Sequence, residues 1–223
     1  MENQYGICRI AVAPLRAEPS DRAEIVSQLL FGEHVEIVSK DDRWWLVKNG
    51  YDGYEGWMDF RQLASISQAQ FAEMHDHKLL APLDFNNVLT AEDGSVYHLS
   101  PASNLPYVAD GYCYAGTEKF KLGFEPYDKT TADFKSDIEA TAKFFQNIPY
   151  LWGGRHLFGL DCSGFVQTVF KMLNIKLNRD ASQQAEQGDH RRGPAGRRRS
   201  RFECPFAAGV EEGPLPVPSE GHH

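Results

Sequence analysis

The first 66 residues are cut into short apolar or alternating runs, each stopped by a turn, and this punctuation constrains the fold more than any other feature. The runs read ICRIAVAPL, EIVSQLL, HVEIVSK, WWLVKN and YEGWM. Between them lie Glu18-Pro19-Ser20-Asp21, Lys40-Asp41-Asp42-Arg43 and Asn49-Gly50-Tyr51-Asp52-Gly53. Runs of this length and spacing predict a small antiparallel β barrel over about 5–66.

The pattern then loosens. SQAQFAEMHDHK suits a short helix, and NVLTAE, SVYHLS and KFKLGFE suit strands separated at Asp93-Gly94 and Asn104-Leu105-Pro106. A second small β domain, or a linker, is expected over 67–126. His75 and His77 stand two apart and on a strand would share a face. No third metal ligand accompanies them, so they are read as surface histidines, and no metal or cofactor is expected. From about 127 to 187 the period changes to helical. Thr130-Thr131-Ala132-Asp133 offers a helix start, followed by Phe134, Ile138, Ala142 and Phe145, with Pro149 as the expected stop. Gly153, Gly154 and Gly159 mark a turn. A second helix is expected from 162 to about 173, with Phe165, Val166, Val169, Phe170 and Leu173 on one face, ended by the run Asn174 to Asn178.

Residues 188–223 have another character. They hold 6 Arg, 6 Gly and 5 Pro in 36 residues, and 6 of the chain's 13 arginines fall within 191–201. Such a composition does not readily bury a core, and the segment is expected to be disordered.

The net charge of −8 argues against nucleic acid as a partner, since phosphate binding needs a basic face. No stretch approaches the 18 or more apolar residues of a membrane span. The N-terminal residues lack a basic segment followed by an apolar run, so the expectation is no signal peptide and a cytoplasmic location. Cys8, Cys113, Cys162 and Cys204 show no CxxC spacing. Cys8 and Cys113 are therefore read as buried thiols, without disulfides.

Cys162 is different. It opens the second helix just after a glycine-bearing loop, where unpaired backbone N–H groups and the helix dipole favour a thiolate, the nucleophilic form. The Cys162 N–H can also face a developing oxyanion, an arrangement worth ~3 kcal/mol of barrier. Ser163 and Gly164 are small and keep that helix end open. A buried cysteine at a helix start is the alternative.

Three linked motifs bear on the choice: Tyr150-x-Trp152-Gly153-Gly154, Asp161-Cys162-Ser163-Gly164-Phe165 and Arg179-Asp180-Ala181-Ser182-Gln183-Gln184. Together they resemble the NlpC-type cell-wall cysteine peptidase family. Gly53-Tyr54-Glu55-Gly56-Trp57 resembles the closing motif of a bacterial SH3-like domain. The resemblance implies an α+β chain, with one or two N-terminal SH3-like β barrels followed by a papain-like cysteine peptidase domain, here truncated. It implies amide hydrolysis through a thioester. The bond would lie between γ-D-glutamate and diaminopimelate or lysine in free murein peptides with an N-terminal L-Ala. On the same footing Cys162 is the nucleophile and Tyr150 assists the oxyanion hole. Asp161, Ser163 and Glu55 would contact substrate, with the two carboxylates meeting its ammonium group. Glu55 as an ordinary solvated carboxylate is the alternative. Trp152 and Trp57 are read mainly as core residues.

The family's catalytic histidine is expected on a strand some 50 residues past the cysteine. After Cys162 come only His190, His222 and His223, none in a strand-like context. The family pattern stops near Gln187-Gly188, and a shifted reading frame or truncated gene is the expectation, with apolar faces of both helices left exposed. Without its base Cys162 would turn over very slowly. A peptide-binding module without catalysis is thus a second reading of the chain. Another cysteine–histidine class, an amidase or acyltransferase, is a third, disfavoured by the segment Arg179–Gln184.

Overall fold

Seven antiparallel strands fill the first region: β1 (Tyr5–Cys8), β2 (Val12–Arg16), β3 (Ile25–Leu30), β4 (His34–Asp41), β5 (Trp44–Asn49), β6 (Glu55–Asp59) and β7 (Leu63–Ile66). They pair in the order β3-β2-β6-β5-β4-β1-β7. Alternation turns one face of each inward: Ala13 and Leu15 of β2, Val47 of β5 and Met58 of β6 are fully buried. One core collects Cys8, Ala13, Leu15, Leu29, Val35, Val47, Met58 and Leu63. Every strand feeds it, so the sheet curls around it as a small barrel must. The run ICRIAVAPL is two strands rather than one, because the chain turns at 9–11. β7 closes against β1, with Gly6 opposite Ser65, in a segment whose pattern did not announce a strand.

The computed structural model describes residues 4–187; His190, His222, His223 and the Arg-rich segment lie outside them. After the barrel, α1 (Gln68–Glu73) starts on a capping box in which the Ser67 and Gln70 side chains each satisfy the other's backbone N–H. A 3-10 turn follows, so His75 and His77 are not on a strand. His75 is exposed, but His77 is half-buried and accepts from the Leu105 N–H at 3.0 Å, which corrects its expected surface role.

β8 (Leu79–Leu80) leads into a four-stranded antiparallel sheet of β9 (Asn87–Ala91), β10 (Val96–Leu99), β11 (Tyr112–Ala115) and β12 (Glu118–Leu122), ordered β10-β9-β12-β11. β13 (Tyr127–Asp128) returns to pair with β8. This second β region is no linker, since Leu89, Leu99, Cys113 and Phe120 share a core with Ile7, Phe31 and Ile66 of the barrel side. Phe31 and Phe120 meet edge to face at 5.1 Å. Cys8 and Cys113 are buried free thiols, as expected.

α2 (Phe134–Phe144) is capped by Asp133, whose carboxylate accepts from the Lys135 and Ser136 N–H groups. It ends at Phe144, before Pro149, and the chain reverses through Asn147 at φ 67°. The turn rather than the proline stops it. A short hairpin, β14 (Arg155–His156) and β15 (Gly159–Leu160), precedes α3 (Cys162–Met172), and α4 (Ala181–Gln187) follows. Ile138, Ala142 and Phe145 from the α2 side pack with Phe165, Val169 and Leu173 from the α3 side. The barrel, the second β region and the helical region belong to one packed unit. No helix among the described residues is long and apolar enough to cross a membrane.

Candidate active site

Cys162 is the first residue of α3 and is partly exposed, with a free thiol. The chain reaches it through a tight path. Gly153 sits at φ 74°, and a Cβ there would come 2.3 Å from the Ile25 carbonyl oxygen, so only glycine fits. Gly164 is equally constrained, since a Cβ would lie 2.2 Å from the Gly154 carbonyl oxygen. These glycines let the loop and the helix start lie against each other and against the barrel.

Asp161 is the helix cap. Its carboxylate accepts from the Gly164 N–H at 2.6 Å and the Gly153 N–H at 2.9 Å. Arg179 grips both oxygens through its two terminal nitrogens and also donates to Ser163 Oγ at 2.7 Å. Ser163 Oγ in turn lies 3.3 Å from Asp161 Oδ1, and Gln184 donates to the Ser163 carbonyl at 3.0 Å. Asp161, Ser163 and Arg179 are 7%, 8% and 2% exposed. An incoming ammonium would therefore meet Asp161 as half of an existing ion pair rather than as a free carboxylate, and Ser163 as an engaged hydroxyl. The cap satisfies Gly164 and leaves the Cys162 N–H, which has no intrahelical acceptor, beside the thiol.

Tyr150 bridges to Leu160 and so flanks the strand that enters α3; it is 64% exposed. Leu151, Trp152 and Phe158 are exposed beside it, which makes the rim of the cysteine loop apolar. α3 itself has no exposed large hydrophobic side chain, contrary to the expectation for it. Trp152 is not a core residue either: it is 61% exposed, and its indole N–H donates to Glu24. Trp57 is half-buried. Glu55 is exposed on β6 opposite Lys48. The barrel residues that touch the cysteine region are its neighbours: Asp52 accepts from Gln167 of α3 at 2.9 Å, and Tyr54 lies near Asp180.

The other end of α3 carries a cluster that the sequence did not announce. Glu33, Arg155 and Lys171 are 0%, 0% and 2% exposed. Arg155 donates to both Glu33 oxygens at 2.8 and 2.9 Å, and Lys171 donates to Oε1 at 2.7 Å. Arg155 also donates to the Gln28 carbonyl at 2.6 Å. Burial pushes the Glu33 carboxyl up, but Arg155 and Lys171 outweigh it and hold it at about 2.

Among the described residues no histidine is hydrogen-bonded to Cys162. His156, nearest in sequence, is 7% exposed, accepts from the Phe158 N–H on Nδ1, and has its pKa lowered by burial. No group of three His, Cys, Asp or Glu side chains among these residues is placed to hold a metal ion.

Comparison with known proteins finds two matching families. Residues 147–199 match the model of the NlpC/P60 family, and residues 15–63 match that of the bacterial dipeptidyl-peptidase Sh3 domain. The first match runs twelve residues beyond the point where the family pattern was expected to stop. A gamma-D-glutamyl-L-lysine dipeptidyl-peptidase of Bacillus subtilis is 33% identical over 180 residues, covering 74% of this chain and 58% of that protein. A protein of the same name from Bacillus cereus is 26% identical over 186 residues, covering 74% and 55%. The chain thus spans a little over half the length of these relatives. The crystal structure of an NlpC/P60 family protein from Bacillus cereus superposes with a TM-score of 0.69 at 20% identity, covering 82% of this chain and 77% of that one. The Asp161-Cys162-Ser163-Gly164 helix start thus lies in a segment, residues 147–199, that matches the NlpC/P60 family, behind residues 15–63 that match a bacterial SH3 domain.

Proposed function

We propose that this chain is a cysteine peptidase of bacterial cell-wall peptides, which hydrolyses the γ-D-glutamyl bond to diaminopimelate or lysine. The observation that carries the reading is Cys162 at the first turn of a helix whose cap, Asp161, is locked by Arg179. The Cys162 sulfur attacks the scissile carbonyl carbon, and the oxyanion develops beside the Cys162 N–H. The step needs a general base, which no described histidine provides, to take the thiol proton and return it, as its conjugate acid, to the leaving amine; water, giving up a proton to the same base, then cleaves the thioester and restores the thiol. Tyr150, on the exposed rim, assists the oxyanion. Asp161, Ser163 and Glu55 form the substrate end of the site, with Asp161 acting within its pair with Arg179. The names of the two Bacillus relatives support the choice of a γ-D-glutamyl bond. Free murein peptides with an N-terminal L-Ala, in cytoplasmic recycling, are the setting this reading implies.

The test is release of L-Ala-γ-D-Glu from L-Ala-γ-D-Glu-L-Lys or its diaminopimelate counterpart, followed by mass spectrometry. Cys162→Ala should abolish release while leaving the far-UV spectrum unchanged; equal release by that variant overturns the nucleophile. The lack of a histidine on Cys162 among the described residues favours a second reading, a module that binds the peptide without cutting it. Calorimetry with the same tripeptide separates the two, since heat of binding without product supports the module.

A further inference from the structure

A cavity of about 310 Å³ opens at the far end of α3, between the barrel, the turn after α1 and the segment 174–176. None of its lining residues comes from the cysteine loop, and Lys171 lies nine residues beyond Cys162, roughly 13 Å along the helix. It is therefore a separate site, at the lower end of the size range of small-molecule pockets.

Three lysines line it: Lys129, Lys171 and Lys176. No carboxylate does. Lys171 is 2% exposed, yet its ammonium meets only one acceptor among the described residues, Glu33 Oε1 at 2.7 Å. An ammonium has three N–H donors, so two are left for a guest. Glu33 is shared with Arg155, which leaves the buried triad with one net positive charge. Lys129 feels Asp128 and Asp76, but neither it nor Lys176 forms an ion pair among the described residues. The Tyr51 ring lies beneath both Lys171 and Lys176, with their ammonium groups 5.0 and 5.8 Å from its centroid, and holds the two cations on one side of the cavity.

Histidines complete the wall. His34 and His75 share a hydrogen bond, Nε2 to Nδ1, at 3.1 Å. The Nδ1 of His34, a residue 3% exposed, is buried without a partner. A histidine pair invites a metal, but three ammonium groups around the same space repel a cation, and no third ligand is in place among the described residues. An anion reverses both objections. It takes the free Lys171 donors, offsets the positive charge and can accept from an imidazole N–H.

We propose that this cavity binds a small oxyanion, a phosphate or carboxylate group, gripped by Lys171 and Lys176 and closed by the His34–His75 pair. The proposal does not depend on the peptidase reading, and its test reads binding rather than turnover.

The experiment titrates the full chain with inorganic phosphate and, separately, with succinate at constant ionic strength in chloride, following heat and melting temperature. A saturable rise in melting temperature with either anion is expected, above that of chloride. A response to phosphate alone assigns a phosphate group, a response to succinate alone assigns a carboxylate, and an equal response to both assigns a site for either oxyanion. Lys176→Glu should weaken binding at least tenfold while its melting temperature in chloride stays within about two degrees of the parent. Lys171→Met risks unfolding, so the exposed Lys176 carries the test, with Lys129→Ala as its second arm, expected to weaken binding severalfold. Absence of saturable binding by both anions, or binding undiminished in Lys176→Glu, overturns the site.

Discussion

The two ends of α3 are both held by a buried carboxylate gripping an arginine, yet they are built from different parts of the chain. At the N-terminal end Asp161 is locked by Arg179, eighteen residues on, and the contact shapes the surroundings of Cys162. At the C-terminal end Lys171 shares Glu33 with Arg155, and Glu33 belongs to the barrel, 122 residues before Arg155. The ion pair of the first cluster is local and sits beside the chemistry, although Arg179 also donates to Ser27 of the barrel at 3.1 Å. The second is long-range, fully buried and remote from it. The comparison separates a device that arranges a reactive group from one that fixes where the whole helix sits.

The largest expected effect lies at the remote end. Glu33→Gln strands two buried cations and should cost about 3–5 kcal/mol, measured by urea unfolding. A loss below about 1 kcal/mol would show that the cluster is not an anchor. Asp161→Asn should cost about 2–3 kcal/mol, because Arg179 loses a charged partner while the amide can still accept at the helix cap. It should also change the rate at which iodoacetamide alkylates Cys162, which Glu33→Gln should leave nearly untouched if the two ends are independent. Equal changes in both variants would show that the two ends of α3 are coupled.

Acid should find the remote end first. Burial holds His34 and His77 at about 4, below the usual 6.5, with His75 adding to the effect on His34. Their unfolded imidazoles take up protons below 6.5, whereas the folded ones resist until about 4. Stability should thus fall by roughly 1–2 kcal/mol per unit as pH drops through that window. Glu33, held at about 2, loses its contribution only below its ordinary value near 4.5. A melt flat from pH 7 to 4.5 would contradict the buried neutral histidines. The smallest effect is expected for Gln184→Ala, which removes the two donations to the Ser163 and Asn178 carbonyls and should cost about 1 kcal/mol in a thermal melt.

Much of this was legible in the sequence, and the reasons are physical. Alternation in WWLVKN places Val47 and Asn49 inward whatever lies elsewhere, so the barrel strands declare themselves. The spacing of Phe165, Val169 and Leu173 likewise declares α3, and the glycines ahead of it declare the loop. Arg179 opens the Arg-Asp-Ala-Ser-Gln-Gln motif, but nothing along the chain says that its guanidinium reaches back to Asp161. Glu33 was invisible: a single glutamate after a Phe-Gly turn reads as solvated until Arg155 is brought to it. Trp152 misled in the opposite direction, since its size suggests burial while its indole N–H finds Glu24 at the surface. Pairings of charge across more than a hundred residues leave no periodicity to read.

One consequence follows from Glu33. Small barrels of this kind are commonly pictured as cassettes that can be exchanged between proteins. Here the barrel supplies the counter-ion for two cations of its neighbour, so a transplant lacking that glutamate would leave Arg155 and Lys171 charged in the dark. The junction therefore acts as a compatibility lock: recombination at residue 66 or 126 is tolerated only between parents that share this acid and both its bases.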